Sequence, residues 1–181
     1  MTVKTGCSAS LVALHLAVEA LGAGSCSAAM VMGCNLMTSP LMTVVYTEHG
    51  LLSKTGKCKT FDAASDGYGR GEAINAVYVK RLSDAIRDGN TIRAVIRASA
   101  TNHDGRKTGM LNPNTLAQEA LIRKTYAKAG ITDYGQTGFF ECHGTGTPVG
   151  GPLEVGAVAN VFGESGVLIG AVGQMPLEIP M

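Results

Sequence analysis

Tryptophan is absent from this 181-residue chain, and only 5% of its residues are aromatic. Charge is sparse as well. Asp, Glu, Lys and Arg make up 16% of the chain, where about a quarter is usual for a soluble domain. The net charge is +1, and no basic cluster or acidic tail stands anywhere along the sequence. That excludes the electrostatic footprint of a nucleic-acid binder. No apolar run reaches the roughly 18 residues of a membrane span. The start lacks the charged-then-apolar order of a signal peptide, so the expected location is cytoplasmic. The five cysteines show neither paired metal-ligand spacing nor a dense framework, and read as reduced thiols with no metal.

Small and apolar residues are what the chain has in abundance: 45% are hydrophobic and 24 are glycine. Together with the low charge, this implies extensive internal packing or a large buried partner surface. The length suffices for one domain with a core, or for a piece of a larger one. Residues 8–22 carry a near-continuous apolar pattern and predict a helix buried on almost all sides. Residues 27–34 predict a buried strand, and 73–82 and 92–100 predict two more in one sheet, with a short helix at 83–88 between them. Pro40 opens a short helix to about Glu48. Thr115 is expected to cap a helix to Ala129, with Gln118 at the capping-box position. Residues 138–142 predict a strand, 152–162 a helix and 167–172 a last strand. Helices alternating with buried strands across glycine-marked turns are the pattern of a layered α/β fold.

Chemistry concentrates at two places. Thr5-Gly6-Cys7-Ser8-Ala9 puts a cysteine between small residues at the start of the first helix. There the helix dipole and backbone N–H groups favour a thiolate nucleophile; the alternative is a small buried residue. Far down the chain, the predicted strand delivers His143 into the turn Gly144-Thr145-Gly146-Thr147-Pro148. A cysteine and a histidine so placed suit acyl transfer. The thiolate attacks a thioester, the Cys7 N–H faces the oxyanion, and the Thr145 and Thr147 hydroxyls bind a polar substrate arm. The glycine-rich stretch 61–72 has no strand leading in and no P-loop lysine pattern, and its residues 67–71 neither follow a strand nor open a helix, which argues against dinucleotide binding. It reads as a structural loop with Arg70 paired to a nearby carboxylate. His103, in Asn102-His103-Asp104-Gly105, reads as a turn residue.

The stretches TGCSASLVALHLAVEAL (5–21), CKTFDAASDGYGRGE (58–72), VKRLSDAIRDGN (79–90), IRAVIRASATNHDG (92–105) and ECHGTGTPVG (141–150) together resemble the ketosynthase (β-ketoacyl synthase) domain of type I fungal polyketide synthases. The resemblance implies an incomplete α/β/α thiolase-like fold, the middle portion of a ketosynthase. Residues 1–134 would be the C-terminal part of its N-terminal half, 135–172 the start of its C-terminal half, and 173–181 a divergent tail. It also implies roles. Cys7 would accept the acyl chain. His143 would be one of two histidines promoting malonyl decarboxylation. Thr145 and Thr147 would hold the phosphopantetheine arm of an acyl carrier protein, the carrier partner, with no cofactor bound directly. Glu154 would support the site by pairing with a downstream lysine, and full-length members form homodimers.

Departures from the pattern shape the functional expectation. The lysine and second histidine expected after the last strand are absent, since Gly173-Gln174-Met175-Pro176 stand there. Gly151 and Lys4 occupy positions where an Asp is usual. The expected activity is acyl transfer and decarboxylative Claisen condensation, impaired in this chain. The alternatives are a non-catalytic remnant or interaction piece, and an acyltransferase or decarboxylase-type relative using only Cys7 and His143.

Overall fold

The structure is a computed structural model that describes residues 1–106 and 112–171. Its elements, in chain order, are α1 (Ala9–Gly22), β1 (Ala28–Asn35), α2 (Leu41–Glu48), β2 (Ala73–Lys80), α3 (Leu82–Arg87), α4 (Thr115–Lys128), β3 (Phe140–Glu141), α5 (Gly150–Phe162) and β4 (Ile169–Gly170). They divide between two compact units, one of residues 1–37 and 71–101, the other of residues 38–70 and those from 102 onward. Among the described residues, no helix is long and apolar enough to cross a membrane.

In the first unit, β1 pairs antiparallel with β2, from Ala28 opposite Lys80 to Asn35 opposite Ala73. Helix α1 packs on one face of this pair. Leu21 and Val31 are buried there, and Gly33 leaves room for Ser10. Arg81, at the corner between β2 and α3, ties the unit together. Its guanidinium donates to the carbonyls of Leu21 (3.2 Å) and Cys26 (3.0 Å) and pairs with Asp84 at 2.8 Å. Asp84 also pairs with Arg87 at 2.7 Å. Both cations thus satisfy one nearly buried carboxylate, as a buried charge requires.

Two sequence expectations are corrected in this unit. Helix α1 is present over the expected residues, yet it is not enclosed: Leu21 is its one buried residue, and Leu11 is 70% exposed. The helix meets the β1–β2 pair and, through the His15 ring nitrogen 2.9 Å from the Ser99 hydroxyl, the 92–100 segment, yet most of its apolar side chains stay half-exposed. Residues 92–100 form no strand, and β2 takes β1 as its partner instead. Alternation marks a half-buried extended segment, but a strand also needs a ladder partner, which the pattern does not encode. The side chains of Ile92, Val95 and Ile96 instead line a cavity of about 700 Å³, with Leu14, Val18 and Val79.

The second unit is built around α4 and α5. Cys142, Val158, Val161 and Phe162 are buried together, with Ile122, Tyr126, Tyr134 and Phe140 packed against them. The rings meet edge to face: Tyr126 lies 5.0 Å from Tyr134 and 5.9 Å from Phe162, and Phe140 lies 5.7 Å from Phe162. Such geometry adds to plain area burial. Strands β3 and β4 run parallel, with Phe140 opposite Ile169 and Glu141 opposite Gly170. They lie within the predicted strands 138–142 and 167–172, though residue 172 and the tail 173–181 fall outside the described residues.

The start of α4 is also corrected. Asn114, not Thr115, caps the helix: Asn114 is extended, and its side chain accepts the Ala117 N–H at 3.2 Å. Thr115 is already helical, and its hydroxyl donates to the Leu153 carbonyl of α5 at 3.1 Å. With the cap one residue earlier, the box position falls on Ala117, so Gln118 closes no box.

Candidate functional site

Cys7 sits in a single 3-10 turn, Gly6–Ser8, that runs directly into α1. Gly6 has φ +68°, a left-handed conformation that glycine adopts without a side-chain penalty. The turn is closed by the Ser8 hydroxyl, which donates to the Thr5 carbonyl at 2.9 Å. Cys7 is exposed and forms no disulfide. The buried alternative is therefore excluded, and the sulfur stands at the positive end of a 14-residue helix.

His143, Thr145, Thr147 and Glu154 belong to the second unit, where the chain brings them together within a few residues of the start of α5. Strand β3 ends at Glu141, Cys142 is buried beneath, and His143 emerges exposed. Glu154 lies in the early part of α5. Its carboxylate oxygens accept the N–H groups of His143 (2.6 Å) and Gly144 (2.9 Å). The resemblance pairs this carboxylate with a lysine side chain; here it binds the turn's backbone. Charge-assisted bonds of this kind are the stronger class of hydrogen bond.

The turn is cramped. Gly144 has φ +56°, and a Cβ there would lie 2.2 Å from the Ala171 Cβ and 2.7 Å from the Thr60 Cγ2. Gly146 has φ +66°, and a Cβ there would meet the Gly67 carbonyl and the Lys59 nitrogen at 3.0 Å. Only glycine fits both the dihedral and the space. Thr147, three residues before α5, braces the helix start: its hydroxyl accepts the Gly150 N–H at 3.2 Å, and its carbonyl accepts the Gly151 N–H at 3.2 Å. Thr145 and Thr147 hydroxyls lie 3.4 Å apart. Two adjacent hydroxyls, both half-buried, can offer one donor and one acceptor to an amide-bearing ligand.

Cys142, beside the turn, has different chemistry from Cys7. Burial, with the Glu154 and Glu141 charges adding to it, pushes its thiol up to about 11. It is a protonated core residue at neutral pH.

Backbone bonds tie the glycine-rich stretch to residues 51–53. Leu52 and Tyr68 form a parallel bridge, with the Tyr68 N–H donating to Leu51 at 3.1 Å and the Ser53 N–H to Tyr68 at 3.0 Å. Arg70 departs from the expected carboxylate pairing. Its guanidinium donates to the Thr43 hydroxyl at 2.6 Å and lies over the Tyr46 ring, 5.4 Å from its centre. An aromatic face can serve a cation where no carboxylate is in reach. His103 is a turn residue as expected, with its Nδ1 accepting the Gly105 N–H at 3.1 Å.

Two family models match the chain: "Beta-ketoacyl synthase, N-terminal domain" over residues 1–85 and "Beta-ketoacyl synthase, C-terminal domain" over 93–175. Among curated relatives, the highly reducing polyketide synthase g433 of a Fusarium species is 56% identical over 172 residues, which is 95% of this chain and 7% of that protein. The highly reducing polyketide synthase VdtX of Byssochlamys spectabilis is 58% identical over 163 residues, 90% of this chain and 7% of that protein. Among solved structures, the oxazolomycin ketosynthase domain OzmH KS7 of Streptomyces albus JA3453 superposes with a TM-score of 0.90 at 37% identity, covering 95% of this chain and 31% of that one. The ketosynthase from module 6 of the bacillaene synthase of Bacillus subtilis 168 gives 0.90 at 37%, covering 94% and 32%.

Proposed function

The chain belongs to the β-ketoacyl synthase family and shares its thiolase-like α/β fold, and we propose that its residues serve acyl transfer and decarboxylative Claisen condensation in polyketide synthesis. The observation that carries this reading is the exposed Cys7 in the turn feeding α1. In the first half-reaction the Cys7 thiolate attacks the carbonyl of an acyl thioester. The Cys7 N–H stabilises the oxyanion, the carrier thiol leaves, and the acyl group stays on sulfur. In the second, a malonyl thioester loses carbon dioxide. The resulting enolate carbon attacks the acyl carbonyl, the bond to Cys7 breaks, and a β-ketoacyl thioester remains on the carrier. His143 hydrogen-bonds the enolate oxygen as it forms. Thr145 and Thr147 hold the phosphopantetheine arm, and Glu154 holds the backbone that carries them. An acyl carrier protein supplies both thioesters, and a second ketosynthase copy completes the functional dimer.

Gly173-Gln174-Met175-Pro176 stand where the resemblance expects a lysine and then a second histidine. A missing acid–base partner costs about 10² to 10⁴ in rate, so the 181-residue chain is expected to complete the first half-reaction and to stall at the second. Incubation with an acyl-pantetheine thioester should add one acyl mass to the intact chain, and Cys7→Ala should abolish it. An unmodified wild-type chain would defeat the proposal in favour of a non-catalytic remnant. Steady release of free acid or carbon dioxide would point to the acyltransferase or decarboxylase-type reading.

A further inference from the structure

The turn from His143 to Thr147 alternates. Its odd-numbered residues, His143, Thr145 and Thr147, carry the functional groups. Its even-numbered residues, Gly144 and Gly146, are buried and carry none. A second loop, residues 58–68, reaches these two glycines. The Thr60 hydroxyl donates to the Gly144 carbonyl. The Gly67 N–H donates to the Gly146 carbonyl at 2.9 Å. No gap is left on that side, because Thr60 Cγ2, Lys59 N and Gly67 O all stand against the glycines.

The loop that makes these contacts is itself braced. Lys59 and Asp66 pair across it at 2.9 Å, and the Asp62 carboxylate accepts the Ala64 N–H at 2.7 Å. Phe61, directly after Thr60, is the one non-glycine among the described residues with positive φ, at +61°. A bulky residue held there stores backbone strain, which persists where surrounding contacts over-determine the position. Thr60 is 5% exposed although it is polar. Removing its hydroxyl would leave the Gly144 carbonyl without that donor, on the buried side of the turn.

We infer that Thr60 is a positioning residue for the turn, acting through the Gly144 carbonyl, and that loop 58–68 is the wall against which His143, Thr145 and Thr147 are set. Glu154 holds the same turn from the helix side, through N–H groups. Thr60 and Gly67 hold it from the loop side, through carbonyls. The inference rests on the reading of this turn as part of an acyl-transfer site, but its physical content is separate from that chemistry.

The test compares Thr60→Val, which keeps the shape and loses the hydroxyl, with Thr60→Ser, which keeps the hydroxyl. The full chain is labelled for magnetic resonance, and the His143 ring signals are identified by their loss in His143→Gln. In Thr60→Val the His143 signals should move and the Gly67 amide should exchange about tenfold faster, while the His15 signals stay in place. Thr60→Ser should restore both. Unmoved signals in the valine variant, or a serine variant that behaves like valine, would overturn the inference. If the valine variant does not fold, the unsubstituted chain decides: a Gly67 amide exchanging at open-loop rates would overturn it, and slow exchange would support it. Acylation of Cys7, measured on the same wild-type sample, tests the functional reading apart from this one.

Discussion

At the scale of the residue, the two cysteines nearest the proposed chemistry are opposites. Cys7 is exposed at a helix start, and Cys142 is buried with its thiol pushed up to about 11. Brief treatment of the native chain with iodoacetamide at pH 8 should label Cys7 well before Cys142, which reacts only after denaturant is added. Peptide mass mapping reads the order, and equal labelling rates would contradict the burial of Cys142. The sequence made Cys7 and His143 legible because small residues at a helix start and glycines around a strand end are local patterns. The partners of the turn were less legible. Glu154 and Thr60 act on backbone groups ten and 84 residues away. A side chain bonded to a distant peptide group needs no particular residue there, so no pairing pattern is written into the sequence. The same reasoning explains Arg70, whose charge was visible but whose hydroxyl and ring partners were not.

At the scale of the element, helices were read more faithfully than strands. Helices α1, α2 and α5 follow from local periodicity and glycine stops. Strands β1 and β2 were legible as segments, but their pairing was not, since register depends on a partner 38 to 52 residues away. The cap of α4 turned on one residue. Asn114→Ala should destabilise the second unit by about 1 kcal/mol, measured by denaturant unfolding, whereas Thr115→Ala loses only its bond to α5. The corner of β2 and α3 offers a pH test. Asp88 is hydrogen-bonded by Arg87 and Lys80, which hold its carboxyl at about 2, below the ordinary 3.8. Its contribution to stability is therefore present above pH 3.8 and is lost as pH falls towards 2. Unfolding curves at pH 5 and pH 2.5 should differ less in Asp88→Asn than in the wild type.

At the scale of the whole molecule, the chain spans 7% of the length of the curated polyketide synthases named above and about a third of the solved ketosynthase chains. One face of the β1–β2 pair is exposed and apolar. Met30 lies opposite Tyr78 and Met32 opposite Ala76, and Met30, Met32, Tyr78 and Ile74 are all exposed. Contiguous apolar surface of this kind drives association in water. The isolated chain should bind an apolar fluorescent dye and scatter more light as its concentration rises. The pair Met30→Glu and Ile74→Lys should reduce both signals, and no reduction would place the association elsewhere. The low charge content noted in the sequence is compatible with exposed apolar surface as well as with an apolar core. It could not say whether the apolar residues were internal, which is why α1 was expected to be enclosed and is not.

The contact between Arg81 and the end of α1 has a consequence for how the chain can vary. An α-helix advances about 1.5 Å per residue and is stiff along its axis. Arg81 grips the Leu21 and Cys26 carbonyls from 60 and 55 residues further along the sequence. It thereby anchors the rod at the end opposite Cys7, and the depth of the sulfur is inherited from that anchor. Insertions between Gly22 and Ala28 would slide or unseat the grip and displace a thiol that lies about 20 Å away along the helix. Residues 23–27, between α1 and β1, are therefore under the same length constraint as the Cys7 turn itself.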